Sequence, residues 1–351
     1  MTAMGKARLN VGLIGVGRLG RVYARDLAAR IPSTRLTAVA DVAQDVAAEV
    51  AREYDVPRSY GNPVDLIGDA NVDAVVIVSP TRTHCELTQA AAARRKPIFC
   101  EKPAALSLEE VLAMKEIIES TGVFFQLGFM RRFDAGYASA KRQMDAGTVG
   151  DVVLFRATSR DTFPPSPEYA NPRNSGGMII DQGIHDFDLA RWFMGEVDRV
   201  QAMGGVLACP ELGAVGDIDN AIVTLQFTSG KLGVVDLTRK GVYGYDINTE
   251  LLGTKGTLRV GYMRETPVLL MTKEHIAHDF VPYFMERFRD AYTTQLENFA
   301  ENVLHQRPAP ITIEDGIESL RIGIAATRAR ETGQMVEVAS ITPARPAGAS
   351  V

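Results

Sequence analysis

The sequence predicts an α/β chain of two domains. The first is a doubly wound parallel sheet over residues 1–128, and the second an α+β domain with a mostly antiparallel sheet over residues 129–351. Three observations predict it. The chain has 351 residues, more than one hydrophobic core normally spans. The first third alternates short β-branched runs with helical patterns. After about residue 128, strands follow one another through turn sequences without helices between them.

Composition narrows the class. Hydrophobic residues make up 46% and charged residues 23%, a balance that excludes disorder, collagen and coiled-coil arrays. The formal charge of −5 lacks the electrostatic footprint of a nucleic-acid binder and gives no reason to expect an anionic membrane as partner. Cys85, Cys100 and Cys209 are scattered and form no CxxC pair, so neither a disulfide scaffold nor a structural zinc site is expected. No apolar run is long enough to span a bilayer. The basic, then apolar N-terminus is interrupted by Asn10, Arg18 and several glycines, so it reads as the lead-in to a first strand rather than a secretion signal. A cytoplasmic location is expected.

The elements follow in order. Leu9–Ile14 reads as a strand and Arg18–Arg30 as a helix with Leu19, Val22, Tyr23 and Leu27 on one face. Leu36–Ala40 is a strand and Val42–Tyr54 a helix. Ala74–Val78 is almost purely apolar, as a strand covered on both faces should be. The Ala-rich stretch Thr83–Arg95 is helical, Pro97–Cys100 a strand, and Leu108–Ile118 a helix opened by a Ser107/Glu110 capping box. Val123–Leu127 closes the series. In the second part, a helix over Ala135–Met144 leads to a strand over Val152–Thr158 and a Pro-rich loop from Phe163. A helix then runs from Met178 to Met194. Strands are expected over Val197–Val206, Ala221–Phe227, Lys231–Leu237, Tyr245–Leu252 and Gly256–Val260, and helices over Phe284–Leu304 and Ile313–Glu331. The Ala-, Pro- and Gly-rich end reads as a loose tail. A C-terminal helix is a candidate to pack back on the first domain.

Gly15-Val16-Gly17-Arg18-Leu19-Gly20 lies between the first strand and the first helix. A GxGxxG match alone is weak, but its position here makes it a dinucleotide fingerprint. Gly15 permits the tight turn, Gly17 lets backbone approach a pyrophosphate, and Gly20 lets helix pack on strand. Asp41 ends the second strand about 20 residues further on, where a carboxylate accepts hydrogen bonds from the adenosine ribose and repels a 2′-phosphate. Val42 follows it instead of an arginine, so NAD is favoured over NADP, without excluding dual use. Arg18 is placed to touch phosphate. Ser79 and Thr81 end a strand beside the expected switch in strand order and are placed to line the cofactor; the alternative is a helix cap by Thr81 or Thr83. His84 and Glu101 join the cofactor-side candidates.

Glu101-Lys102-Pro103 ends a strand at the carboxyl edge of the sheet. Lys102 there is either an ordinary surface lysine or an ammonium that hydrogen-bonds a substrate hydroxyl. Asp181 and His185 are four apart, hence one turn apart on one face of the expected helix. Histidine is the natural general base near neutral pH, and the carboxylate could hold its ring or bind a substrate hydroxyl. Zinc would need a third ligand, and His84, His275, His278 and His305 supply no pattern for one, so no metal is expected. Asp186, Asp188 and Arg191 read as helix-surface pairs or domain contacts, and Trp192 as core.

The fingerprint, Glu101-Lys102-Pro103 and Gly176-Gly177 followed by Asp181 and His185 together resemble the Gfo/Idh/MocA oxidoreductases over about Leu9–Val338. The resemblance implies a Rossmann domain, a large open sheet in the second domain whose face builds dimers or tetramers, and Lys102, Asp181 and His185 as the catalytic set. Gly128–Asp134, Ser159–Asp161, Ile184–Asp188 and Phe284–Phe288 are similar to the inositol 2-dehydrogenases within that family. By that similarity Met130, Arg131, Asp161 and Tyr245 approach the polyol or nicotinamide. By residue type alone, the arginine pair is surface and the strand tyrosine packing. The stretch 162–175 is longer than that subgroup's pattern and is a candidate to shape the substrate mouth.

The expected reaction is oxidation of a ring hydroxyl of myo- or scyllo-inositol to the ketone with NAD. The alternative enzyme is a pyranose dehydrogenase. A non-catalytic NAD-sensing regulator, or a glycosidase or epimerase that retains its NAD, are the other readings.

Overall fold

The structure is a computed structural model that describes residues 8–261 and 264–343. The basic lead-in and the loose tail read from the sequence lie outside them. The chain divides into two compact units: Met1–Met130 with Asp290–Ile317, and Arg131–Arg289 with Glu318–Val351.

The first unit begins with β1 (Leu9–Ile14), α1 (Arg18–Arg25) and a π-helical turn at Asp26–Arg30. It continues with β2 (Thr34–Ala40), α2 (Gln44–Glu53), β3 (Arg58–Tyr60), α3 (Pro63–Gly68), β4 (Ala74–Ile77) and α4 (His84–Ala93). β5 (Ile98–Glu101), α5 (Leu108–Thr121) and β6 (Phe125–Gly128) complete the series. The six strands form one sheet in the order β3-β2-β1-β4-β5-β6. Every pair is parallel. The order reverses between β1 and β4, which is the switch point expected of a doubly wound sheet. All four residues of β4 are fully buried, which is why its sequence carries no polar alternation.

Local chemistry accounts for the boundaries. The Ser107 hydroxyl accepts a hydrogen bond from Glu110 N–H at 3.3 Å and starts α5, while the Glu110 carboxylate reaches back to Leu106 N–H at 3.3 Å. Gly122, at φ +64°, ends that helix. The helix expected from Val42 starts two residues later, because Asp41 Oδ1 accepts the Ala43 N–H and turns the chain first. β3 and α3 were not among the elements expected from the sequence. Neither has a long periodic pattern, and α3 is opened by Asn62, whose side chain accepts the Val64 N–H at 3.0 Å.

The second unit holds α6 (Ala135–Asp145), β7 (Val152–Arg160), α7 (Pro167–Ala170), α8 (Pro172–Ser175), α9 (Met178–Asp181) and α10 (Ile184–Met194). These lead to β8 (Val197–Gly205), α11 (Pro210–Gly213), β9 (Asn220–Phe227), β10 (Leu232–Thr238), β11 (Asp246–Gly253) and β12 (Thr257–Val260). β13 (Leu270–Met271) and β14 (Ile276–Ala277) form a small ribbon before α12 (Phe284–Arg287). The chain then runs through α13 (Arg289–Leu304) and α14 (Ile313–Thr332) to β15 (Val336–Glu337). Seven strands pair in the order β12-β11-β7-β10-β9-β8-β15. The hairpin turns read at Thr228–Lys231 and Gly253–Gly256 join antiparallel neighbours. β10 and β11 are not neighbours, however. β7 lies between them, parallel to β10 and antiparallel to β11, so the sheet is mixed at that one pair. Along β9, Ala221, Val223, Leu225 and Phe227 are buried while Ile222 is 54% exposed, the period-two pattern of a sheet with one covered face.

The helix expected over Met178–Met194 is interrupted at Gln182–Gly183. Gln182 Nε2 donates to the carbonyls of Ser159 at 2.7 Å and Thr238 at 3.0 Å, at the ends of the parallel strands β7 and β10. A side chain on Gly183 would lie 2.4 Å from the Ile179 carbonyl oxygen, so only glycine allows this close turn. Both residues keep right-handed helical dihedrals, and His185 therefore still follows Asp181 by about one turn.

Asp186 and Asp188 are not surface residues as the sequence suggested. Each is almost fully buried and paired with an arginine of the turn before α6. Arg131 donates to Asp186 Oδ1 at 2.6 Å and to Ser159 Oγ at 3.0 Å. Arg132 forks onto both oxygens of Asp188. Trp192, expected in the core, is half-buried, with the Arg132 guanidinium 5.7 Å from its ring centroid. Removing one member of a buried pair leaves the other charge uncompensated. Arg131→Met is expected to lower unfolding free energy by about 3–5 kcal/mol in urea titrations, whereas Arg199→Ala, at a half-exposed pair with Asp198, should change it by less than about 1 kcal/mol.

Candidate active site

The nucleotide side is built by the turn between β1 and α1. Gly15 has φ +89°, and a side chain there would sit 2.8 Å from the backbone of Val78 and Ser79 at the end of β4. A side chain on Gly20 would collide with the Gly15 carbonyl oxygen at 2.1 Å. Gly17 is different: it is exposed, and nothing lies within 4 Å of where its Cβ would be. A turn tight on its protein side and open in front of its middle glycine, at a helix N-terminus, is a cradle that fits a pyrophosphate. Val16 is buried beneath it, Leu19 half-buried and Arg18 exposed. Asp41 stands beside this turn. Its Oδ2 accepts the Val16 N–H at 3.0 Å and its Oδ1 the Ala43 N–H at 3.0 Å, so the carboxylate is oriented by the fingerprint backbone. Each oxygen keeps a second lone pair for a ribose hydroxyl. Val42 beside it is 87% exposed. The chain's own residues thus fit a dinucleotide at Gly15–Gly20 and Asp41.

At the end of β4 neither threonine caps α4 through its side chain. The Thr83 hydroxyl bonds instead to Ser79 Oγ at 2.7 Å and the Pro80 carbonyl at 2.8 Å, and Thr81 is half-buried. His84 is buried, with Nδ1 2.9 Å from the Pro103 carbonyl oxygen and Nε2 2.8 Å from that of Ser79. Burial pushes its pKa down. Its ring ties the loop after β4 to the loop after β5. Glu101 also faces inward. It accepts from the Tyr23 hydroxyl and, at 3.3 Å, from Gln295 Nε2, while its Oε2 accepts the Lys102 N–H at 3.1 Å. Burial pushes the Glu101 carboxyl up. Lys102 is half-buried at the carboxyl end of β5 and is fixed at its backbone by Glu101.

In the second unit, Asp181 closes α9 and His185 lies in the first turn of α10; both are buried. Arg239, just after β10, donates to Asp181 Oδ2 at 2.9 Å and faces Asp161 and Asp217 at 3.8 Å each. The Tyr169 hydroxyl donates to Asp181 Oδ1 at 2.9 Å. Both oxygens of Asp181 are therefore oriented by protein donors. Burial works against the Arg239 charge, but the three carboxylates outweigh it and hold it cationic. Burial pushes the Asp217 carboxyl up, although Met178 N–H donates to it at 2.9 Å. Among the described residues, no group of three or more His, Cys, Asp or Glu is arranged to hold a metal ion.

The structure thus gathers Asp161, Asp181 and His185 within one unit. Arg131 is buried there too, and its N–H groups donate to Asp186 and Ser159, so it supports α10 from within. Tyr245 is buried edge-on against Tyr283 and Phe288, with ring centroids 6.2 and 6.4 Å away, and burial pushes its pKa up. Met130 is buried at the end of the first unit. Sequence reasoning missed Arg239, Gln182 and Asp217 because each acts through a residue distant in sequence and belongs to no motif. Tyr169 lay in the stretch marked as unusually long, which was its only signal.

A family model described as an oxidoreductase family, NAD-binding Rossmann fold, matches residues 9–129, and one for the family's C-terminal alpha/beta domain matches residues 141–338. The chain belongs to the Gfo/Idh/MocA oxidoreductase family. It is an NAD-dependent oxidoreductase. It is 40% identical to the myo-inositol 2-dehydrogenase of Thermotoga maritima over 95% of this chain and 99% of that protein. It is 38% identical to the scyllo-inositol 2-dehydrogenase (NAD(+)) of Bacillus subtilis over 94% of this chain and 96% of that protein. Among solved structures, scyllo-inositol dehydrogenase from Lactobacillus casei with bound NAD(H) and scyllo-inositol superposes with TM-score 0.89 at 32% identity, covering 95% of this chain and 99% of that one.

The Asp41 geometry generates an expectation for this family member. Asp41→Ala should raise the KM for NAD⁺ about 10- to 100-fold and narrow the preference over NADP⁺, with the KM for the second substrate little changed. Initial rates with both cofactors check it.

Proposed function

We propose that the protein oxidises one ring hydroxyl of an inositol, myo- or scyllo-, to the corresponding ketone. The observation that carries this reading is the Asp181–His185 pair, with both carboxylate oxygens oriented by Arg239 and Tyr169, in a chain whose relatives bear the names of inositol dehydrogenases. NAD⁺ held at Gly15–Gly20 and Asp41 supplies the hydride acceptor, so the alcohol needs only a base and a means of orientation from the protein.

In this reading His185 takes the proton from the reacting hydroxyl, and neutral imidazole is suited to that near pH 7. Lys102 hydrogen-bonds the same oxygen and opposes its re-protonation. Asp181 accepts a hydrogen bond from a neighbouring hydroxyl and sets the face of the ring. Asp161 is the further substrate-side carboxylate. Arg131 acts through Asp186, and His84 and Glu101 through the backbone flanking Lys102, as positioning residues. Exposed Met203, Ile222 and Leu232 on the far face of the seven-stranded sheet support a homodimer or homotetramer. The three cysteines are free thiols, in keeping with a cytoplasmic enzyme.

His185→Ala is expected to lower kcat by roughly 10²–10⁴-fold while NADH binding, read by fluorescence titration, stays intact. Wild-type turnover in that variant would remove His185 from the mechanism. Substrate class is tested with myo-, scyllo- and chiro-inositol and common hexoses, each with NAD⁺ and NADP⁺, following reduced cofactor by absorbance. The highest kcat/KM is expected for an inositol with NAD⁺. A hexose at the top of the ranking would replace the reading with a pyranose dehydrogenase.

A further inference from the structure

The segment between Asp161 and Gly176 is built rather than loose. Ser166 opens α7 by accepting the Tyr169 N–H at 3.3 Å, and Asn171 opens α8 by accepting the Arg173 N–H at 3.0 Å. Asn174 Nδ2 donates to the Glu168 carbonyl at 2.8 Å, closing one turn on the other. Ala170 is fully buried against Cys209 and Leu212 and anchors the segment to the body of the unit. Thr162 ties its start to the Pro282 carbonyl at 2.7 Å, and Phe163 stacks on Tyr283 with ring centroids 4.8 Å apart.

This scaffold presents Tyr169 to Asp181. Tyr169 is 52% exposed, yet its hydroxyl reaches Asp181 Oδ1 at 2.9 Å. Arg239 occupies the other oxygen, Oδ2, at 2.9 Å. The phenol therefore shares a carboxylate with whichever substrate hydroxyl Asp181 binds. The charge of Asp181, reinforced by burial, raises the Tyr169 pKa, so the phenol stays protonated and keeps its oxygen lone pairs for an incoming donor.

We propose that Tyr169 is a specificity-determining residue: its phenol oxygen accepts a hydrogen bond from the ring hydroxyl adjacent to the one held by Asp181, and so reads the configuration of that neighbouring carbon. The ligand class is a cyclic polyol with adjacent ring hydroxyls. Isomers that differ at that carbon direct the hydroxyl toward the phenol or away from it. The exposed part of the aromatic ring offers an apolar surface to the C–H side of such a ring. This inference rests on the reading in which Asp181 and His185 bind the polyol.

The test compares wild type, Tyr169→Phe and Asp181→Asn on myo-, scyllo- and chiro-inositol, with NADH binding and thermal melting as controls. Tyr169→Phe removes one oxygen and keeps the ring. The expected result is a KM for the best inositol raised about 10-fold, with kcat changed less. The kcat/KM ratio between two isomers should shift by at least about 5-fold, with NADH affinity and melting temperature unchanged. Equal kcat/KM changes for all three isomers, or none, would overturn the proposal, provided Asp181→Asn is impaired on each. Wild-type turnover by Asp181→Asn would instead overturn the underlying reading of the site, and the Tyr169 proposal with it.

Discussion

A carboxylate taken out of water needs a charged or hydrogen-bonding partner, and the segment Met178–Met194 carries three that are buried. Asp181 is met by Arg239, Asp186 by Arg131 and Asp188 by Arg132. Each arginine comes from outside that segment, from the turn before α6 or from the end of β10. The helix thus cannot take its place unless those elements take theirs. The same pairing that offsets the desolvation of the carboxylates orients Asp181 and fixes α10, the helix that carries His185. Gln182 adds a neutral version of this constraint by donating to the carbonyls that end β7 and β10.

The first unit solves a different problem, the placement of backbone rather than charge. Glycines allow a turn too tight for side chains at Gly15 and Gly20 and leave the space before Gly17 open. Asp41 hydrogen-bonds the peptide N–H of Val16 and Ala43, so the residue suited to a ribose also holds the turn that would carry the phosphates. The loops after β4 and β5 are joined by the His84 ring, and Glu101 fixes the Lys102 backbone from below. Two titratable groups beside Lys102 are thereby committed to the interior.

Much of this was legible in the sequence. The parallel sheet, the fingerprint turn, the hairpins at Thr228–Lys231 and Gly253–Gly256 and the capping of α5 all rest on local patterns, and local patterns survive in a linear reading. Other features failed for identifiable reasons. β3 is three residues long and has no periodicity to detect. The break at Gln182–Gly183 depends on carbonyls contributed by Ser159 and Thr238. Asp186 and Asp188 looked like an exposed helix face because their arginine partners lie more than fifty residues earlier in the chain.

By itself the sequence determined the main run of long strands and helices, the glycine turn and the acidic end of β2, since each needs only chain neighbours or a short repeat. Tertiary structure alone decided which carboxylates are buried, that β7 inserts between β10 and β11, and that Arg239 and Tyr169 close on the two oxygens of Asp181. Those outcomes depend on desolvation and on hydrogen-bond partners brought from afar, and neither is encoded in the spacing of residues along a chain.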